Sequence, residues 1–268
     1  MKKLSVVIPS RNGREILKKY LPEILRETLA VSGELLVIDD CSSDGTAEFI
    51  TGMHSSIKLI QRKTEPAFCR AVNLGMCTAS GEYLLLLNND TIPMRNSFGI
   101  LAGCLQSAGE ETAVAVPSIP RPDGTDDSLF RWGRKRGLAV TGQEVRGHTY
   151  PSGACALWKR EAWEALDGLD CRYAPIYWED VDMGVRMMKK GYGMVRCPEA
   201  VVKHMHASTM GATPETKTLR ERNRFIFMET HGVKPGLWLP VHLMAAYLKG
   251  NSSFLNGYRE YRKWRSSL

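Results

Sequence analysis

Residues 83–90 read Tyr-Leu-Leu-Leu-Leu-Asn-Asn-Asp, an unbroken apolar run that ends in three polar side chains. A strand apolar in every position is covered on both faces, which a parallel sheet flanked by helices provides. Working back from this run, residues 4–8, 34–38 and 57–61 are similar short strands. Residues 14–29, 47–53 and 67–79 separate them, with the apolar spacing of amphipathic helices; Ser43-Asp44-Gly45-Thr46 supplies a helix start. This alternation predicts an α/β domain built on a Rossmann-like, mostly parallel sheet. In such sheets a ligand crevice opens beyond the carboxyl ends of the strands. Three polar clusters fall there: Pro9-Ser10-Arg11-Asn12, Asp39-Asp40 and Asn88-Asn89-Asp90. After residue 110 the rhythm loosens. Residues 113–116 suit a further strand, 117–147 read as a long loop or irregular insert, and order resumes at 151.

The chain has 268 residues and a formal net charge of +7. Residues 217–268 hold ten Lys and Arg against three Glu, whereas residues 1–216 balance, so the excess belongs to the tail. No secretion signal is visible at the start. The longest later apolar stretch, 237–248, contains Pro240 and His242 and falls short of the ~20 residues a bilayer-spanning helix needs. Seven cysteines without a CxxC pair read as small buried hydrophobes in a reducing compartment, so a cytoplasmic location is expected.

Three clusters carry chemistry. Asn88-Asn89-Asp90 at the end of an apolar strand places side chains 88 and 90 on the same side, and two oxygen donors there suit Mg²⁺ or Mn²⁺; a simple turn is the competing reading. Tyr177-Trp178-Glu179-Asp180-Val181-Asp182 sets three carboxylates beside two aromatics ahead of a helix. An acidic helix start explains the carboxylates alone. A sugar subsite with a general base explains the aromatics as well. Lys203-His204-Met205-His206 offers an HxH pair, which leaves a metallohydrolase open.

The order of motifs resembles a family 2 glycosyltransferase of the GT-A fold. The blocks are VVIPSRN (6–12), ELLVIDDCSSDGT (34–46), FCRAVNLGMCTASGEYLLLLNND (68–90), PSGACALWKREAWEALDGLD (151–170) and YWEDVDMGVRMMKKGYGMVRCPEAVVKHMHAS (177–208). The last block is particularly similar to bacterial rhamnosyl and galactofuranosyl transferases that extend cell-surface glycans. The resemblance implies an inverting hexosyltransferase of polysaccharide biosynthesis, acting on a UDP- or dTDP-linked sugar and on a glycan or lipid-linked acceptor. It implies that Pro9, Arg11, Asp39, Asp40, Arg70 and Asn73 approach the nucleotide, with Gly75 permitting close packing. Asn88 and Asp90 match the DxD metal motif with its first carboxylate replaced, and His204 matches a histidine that completes the metal shell; His206 has no match and is left as structural. Asp180 matches the catalytic base. Trp178 and Glu179 would shape the acceptor pocket, and Gly153 and Ala154 would line the donor sugar.

Residues 1–230 are thus expected to form the catalytic domain and 231–268 a basic, aromatic helical extension. Bases interleaved with Trp238, Tyr247 and Phe254 suit either an anionic membrane surface, which would place the enzyme peripherally on the inner face, or a solvated helix pair packed on the domain. A nucleic-acid-binding protein is disfavoured, because the first 216 residues are neutral and carry no such motif. A sugar nucleotidyltransferase shares the sheet logic but is marked by a Gly-rich first loop, where this chain has Pro9-Ser10-Arg11-Asn12.

Overall fold

The computed structural model describes residues 3–206 and 213–268; Ala207 and Ser208, which close the last resembling block, lie outside them. The chain opens with β1 (Leu4–Ser10), α1 (Arg14–Ala30), β2 (Glu34–Asp40), α2 (Thr46–Met53), β3 (Ile57–Arg62), α3 (Phe68–Thr78) and β4 (Tyr83–Leu87). β1 and β4 are buried at every position, as their uninterrupted apolar character requires. These four strands pair in parallel in the order β3-β2-β1-β4.

Next come β5 (Thr91–Pro93), α4 (Ser97–Ser107), β6 (Thr112–Ser118), β7 (Leu129–Lys135), β8 (Leu138–Gly142), β9 (His148–Pro151), β10 (Cys155–Lys159) and α5 (Arg160–Ala165). α6 (Glu179–Lys189), β11 (Gly193–His204), α7 (Pro214–Thr230), α8 (Trp238–Leu248) and α9 (Ser252–Ser266) complete the chain. β10 enters the sheet antiparallel to β4 and to β6, β11 lies parallel to β6, and β5 closes the edge antiparallel to β11. The eight-stranded sheet is therefore mixed, with a parallel half that carries the crevice.

Apolar side chains of α1 and α4, among them Leu17, Leu21, Phe98 and Leu101, cover one face. Those of α3, α5 and α6, among them Val72, Trp163 and Met183, cover the other. Gly75 lets α3 settle directly on β1 and β2, because a Cβ there would collide with Val7 and Ile38.

Two expectations are corrected. Residues 117–147 are not an irregular loop: β7 and β8 form a hairpin that joins β9 in a second, antiparallel sheet of order β8-β7-β9. The alternation is carried by only two large apolar residues. Phe130 stacks on Tyr150 at 6.1 Å and Trp132 meets Phe227 edge-on at 5.1 Å, while the intervening positions are Arg131 and Gly133. The cysteines are also not all free: Cys104 of α4 and Cys197 of β11 form a disulfide across the sheet edge, which removes the premise of seven inert thiols.

α9 packs against α7, and α8 against α9. Phe225 contacts the rings of Phe254, Tyr258 and Tyr261 at 5.7, 5.1 and 5.5 Å. The β7–β8 hairpin tip reaches the same region. Arg134 donates to the Lys234 carbonyl at 3.0 Å, and His242 Nε2 lies 2.9 Å from the Arg136 carbonyl. Arg134, Lys135 and Arg136 thus join the basic extension, so the charge excess read from the tail gathers three further cations in space.

Candidate active site

A cavity of about 510 Å³ opens at the carboxyl ends of β1, β2 and β4. Its walls are Pro9 to Asn12 at the end of β1, Asp40 of β2, Pro66 to Phe68 at the start of α3, Asn88 to Asp90 after β4, and Pro175, Ile176, His204 and His206. Asn89 Nδ2 donates to Ser10 Oγ at 2.9 Å and so ties the β4 turn to the end of β1.

The residues assigned to the nucleotide divide. Pro9, Arg11 and Asp40 line the cavity, but Asp40 is already bound: it pairs with Arg62 and accepts from the Ala67 N–H at 2.8 Å, fixing the start of α3. Asp39 is buried beside the cavity and accepts from the Ser42 N–H at 3.2 Å. Arg70 is exposed, 3.6 Å from Glu65, and Asn73 points elsewhere. The Asn73 amide exchanges hydrogen bonds of 2.8 Å with both the carbonyl and the N–H of Leu169, an arrangement that clasps α3 to the segment before α6. Neither Arg70 nor Asn73 is on the cavity wall.

Asn88 to Asp90 form a turn rather than a continuing strand, since β4 ends at Leu87. Asp90 is buried, and its Oδ1 lies 3.1 Å from His204 Nε2. β5 and β11 produce this meeting, pairing Thr91 with His204. His206, expected to be structural, stands beside the pair instead, its ring 4.2 Å from that of His204. His204, His206 and Asp127 each offer a ligand atom within 4.8 Å of the others. Asp127 is buried and already holds Arg121 Nε at 2.5 Å and His206 Nε2 at 3.2 Å, so it orients His206. A carboxylate and imidazoles on one cavity wall are a fitting donor set for a divalent cation.

On the far side of Ala154 the three carboxylates of residues 179–182 part company. The Asn88 N–H donates to the Ala154 carbonyl at 2.9 Å, and a Cβ on neighbouring Gly153 would lie 3.9 Å from the Asp180 Cβ. A short backbone path thus links the cation turn to Asp180. Asp180 is half-buried at the start of α6 and accepts from the Val181 N–H at 2.8 Å. Burial pushes its carboxyl up to about 6, with the Arg220 guanidinium opposing. Glu179 is buried with Oε2 unpartnered among the described residues, and burial together with the Asp180 charge raises its carboxyl well above the usual range. Burial and the Asp180 charge thus disfavour ionisation of Glu179, and the half-buried Asp180 is the better placed base. Asp182 belongs to the core. It holds Arg186 Nε and His231 Nε2, each at 2.7 Å, and these partners keep its carboxyl low against the cost of burial.

Trp178 is buried rather than offered as an open sugar platform; its ring lies 5.0 Å from Phe227 and its Nε1 donates to the Arg220 carbonyl at 3.0 Å. Tyr177 and Trp178 both adopt left-handed backbone, φ 81° and 77°, a conformation costly for bulky residues. Asn223, fully buried on α7, holds them. Its Nδ2 donates to the carbonyls of Ile176 and Tyr177 at 2.9 and 3.0 Å. Nothing in the sequence marks it, since it sits within the polar stretch Arg220 to Arg224.

The profile of the family described as "Glycosyltransferase like family 2" matches residues 2–226. The chain belongs to this family. A glycosyltransferase is a transferase, and the assignment covers both the crevice and the Asp180 segment. An N-acetylglucosaminyl-diphospho-decaprenol L-rhamnosyltransferase of Mycobacterium tuberculosis (strain H37Rv) is 27% identical over 230 residues, 72% of this chain and 74% of that protein. A Sinorhizobium fredii protein, y4gI, is 23% identical over 252 residues; the match covers 84% of this chain but only 27% of that protein. Among solved structures, a mannosyltransferase from Pyrobaculum calidifontis in complex with GDP-Man and Mn²⁺ superposes with a TM-score of 0.63 at 17% identity, over 96% of this chain and 73% of that one. The fold of this glycosyltransferase is accordingly GT-A: a mixed, curled central sheet flanked by helices. Among the described residues no helix is long and apolar enough to cross a membrane.

Proposed function

We propose that the chain is an inverting glycosyltransferase that moves a sugar from a nucleoside-diphosphate donor, UDP- or dTDP-linked, to a hydroxyl of a glycan or lipid-linked acceptor. The observation that carries this reading is the backbone path from Asn88 through Ala154 and Gly153 to Asp180. It brings a nucleotide-sized cavity within reach of one carboxylate that is ionised at neutral pH and only half-buried. Pro9 and Arg11 border the nucleotide. Asp39 and Asp40 brace that wall from behind, as their bonds to the Ser42 and Ala67 N–H groups suggest. Gly153 leaves room for the donor sugar. Asp180 takes the proton of the acceptor hydroxyl as that oxygen attacks the anomeric carbon, and a single displacement inverts the centre.

Asp90 and His204, with Asn88 and His206 beside them, would hold a divalent cation, Mn²⁺ or Mg²⁺. Such an ion supplies positive charge against the negative charge that develops on the departing diphosphate. The Mn²⁺ of the archaeal neighbour supports this choice. The diphospho-lipid in the name of the mycobacterial relative supports a lipid-linked acceptor. An anionic membrane is a further partner, through the basic extension and the hairpin tip packed on it.

Thermal-shift screening against nucleoside diphosphates and their sugars, with and without Mn²⁺, tests the reading. A manganese-dependent rise with one nucleotide is expected, followed by release of nucleoside diphosphate during transfer. No shift with any nucleotide, or release of pyrophosphate as from a nucleotidyltransferase, would sink it.

A further inference from the structure

A second cavity, about 270 Å³, lies between β8 and α7 and shares no lining residue with the first. Ala139, Val140 and Thr141 form one wall; Trp178 and the α7 residues Lys217, Arg220, Glu221 and Arg224 form the other. We propose that this cavity is a subsite for a phosphate or diphosphate group on the acceptor.

Charge is the first argument. Lys217, Arg220, Glu221 and Arg224 fall at the i, i+3, i+4, i+7 spacing of one helix face, three cations against one carboxylate. Like charges at this spacing destabilise a helix, so packing alone does not account for them. Glu221 pairs with Arg224, which leaves Lys217 and Arg220 to the cavity. Arg220 has a 3.3 Å hydrogen bond to Thr141 Oγ1, and Lys217 has no ion pair among the described residues. The second argument is an orphaned donor: Arg224 Nε is buried without a hydrogen-bond partner among the described residues. Such a group is costly unless a ligand oxygen meets it, and a guanidinium fork suits phosphate.

Location supplies the class of ligand. Trp178 stands two residues from Asp180, and Arg220 is near enough to favour the ionised form of that carboxylate. A phosphate held here would carry its attached sugar toward the base. β8 also leads from the cavity to the hairpin tip against α8, where Leu237, Val241, Met244 and Leu248 are exposed. That is the order in which a sugar diphosphate and its hydrocarbon chain would lie. The step from phosphate site to acceptor site rests on the glycosyltransfer reading above.

Calorimetric titration of the full chain without divalent cations, using inorganic pyrophosphate and geranyl diphosphate, tests the proposal. Both probes should bind, the prenyl compound more tightly. Lys217→Gln and Arg220→Gln should each weaken binding about tenfold, the scale of one charge-assisted hydrogen bond, while Asp90→Asn should not. Absence of saturable binding, or wild-type affinity in the double variant, would overturn the subsite. Equal affinity for the two probes would overturn its lipid occupant in favour of free phosphate. Manganese-dependent nucleoside diphosphate binding, read on the same samples, reports the first cavity and the fold; its loss in the unmutated chain would fail the donor reading separately.

Discussion

Asn223 Nδ2 on α7 donates to the carbonyl of Tyr177 at 3.0 Å, and Tyr177 is the first of two consecutive residues held in left-handed backbone immediately before α6, whose second residue is Asp180. The same amide reaches Ile176, which lines the larger cavity. One buried side chain therefore braces both the cavity rim and the approach to the base. Asn223→Ala removes these bonds from half-buried carbonyls, together with a 2.5 Å bond to the buried Tyr173 carbonyl, a loss of about 1–3 kcal/mol for that buried group. The expected result is a melting temperature lower by about 3 °C or more, with transfer impaired beyond the loss of folded protein. A thermal melt paired with kinetics checks it; an unchanged melt would show that the strained segment needs no brace.

Asp180 must be ionised to act as a base. Because burial raises its carboxyl to about 6, the active form is lost as pH falls through 6 and is fully present above about 7. The kcat/KM profile should rise with unit slope below pH 6 and flatten above it. Asp180→Asn should abolish transfer while leaving manganese-dependent donor binding within about threefold, since the residue contacts the acceptor proton rather than the nucleotide. An active Asn variant would remove the base assignment.

Glu179 lies beside it with the opposite consequence. Burial and the Asp180 charge raise its folded carboxyl well above the ordinary 4.5, so as pH rises past about 4.5 the folded state binds more protons than the unfolded chain. Stability contributed by this group therefore declines as pH rises above about 4.5. Glu179→Gln keeps the shape and removes the ionisation. Its melting temperature should match the parent near pH 4 and exceed it at pH 8, by about 3 °C for each kcal/mol recovered. Melts at the two pH values, compared as differences, decide the matter.

The first half of the fold was legible because β1 and β4 are apolar on both faces, so composition alone marks them as interior strands. β7 was not, since two aromatics on one side were outnumbered by Arg131, Arg134 and Lys135 on the rest. At the site, local motifs were readable and convergences were not. Asp90 and His204 could be matched because each sits in its own recognisable block. Asp127 and His206 meet only because the segment before β7 folds back beside β11, and no spacing in the chain records that approach. Asn73 was misleading for a related reason: its amide is consumed by Leu169, ninety-six residues away.

The exposed face of α8 yields the last expectation. Leu237, Val241, Met244 and Leu248 recur at helical spacing and are 91, 53, 60 and 75% exposed, a concentration of apolar side chains that water alone would not favour. Arg136 sits over the Trp238 ring at 5.8 Å, so the basic hairpin tip is fixed beside this face. Hydrocarbon contact and attraction to anionic headgroups would then act together, each cation adding about 1 kcal/mol near the surface. Liposome flotation separates the two. Replacing Val241 and Met244 with serine should reduce binding at every salt concentration, because buried apolar area is insensitive to screening. Replacing Arg134 and Lys135 with glutamine should reduce it on anionic vesicles at low salt, with the difference fading above about 0.5 M salt as the Debye length shrinks. Unimpaired flotation of both variants would remove this face from membrane binding.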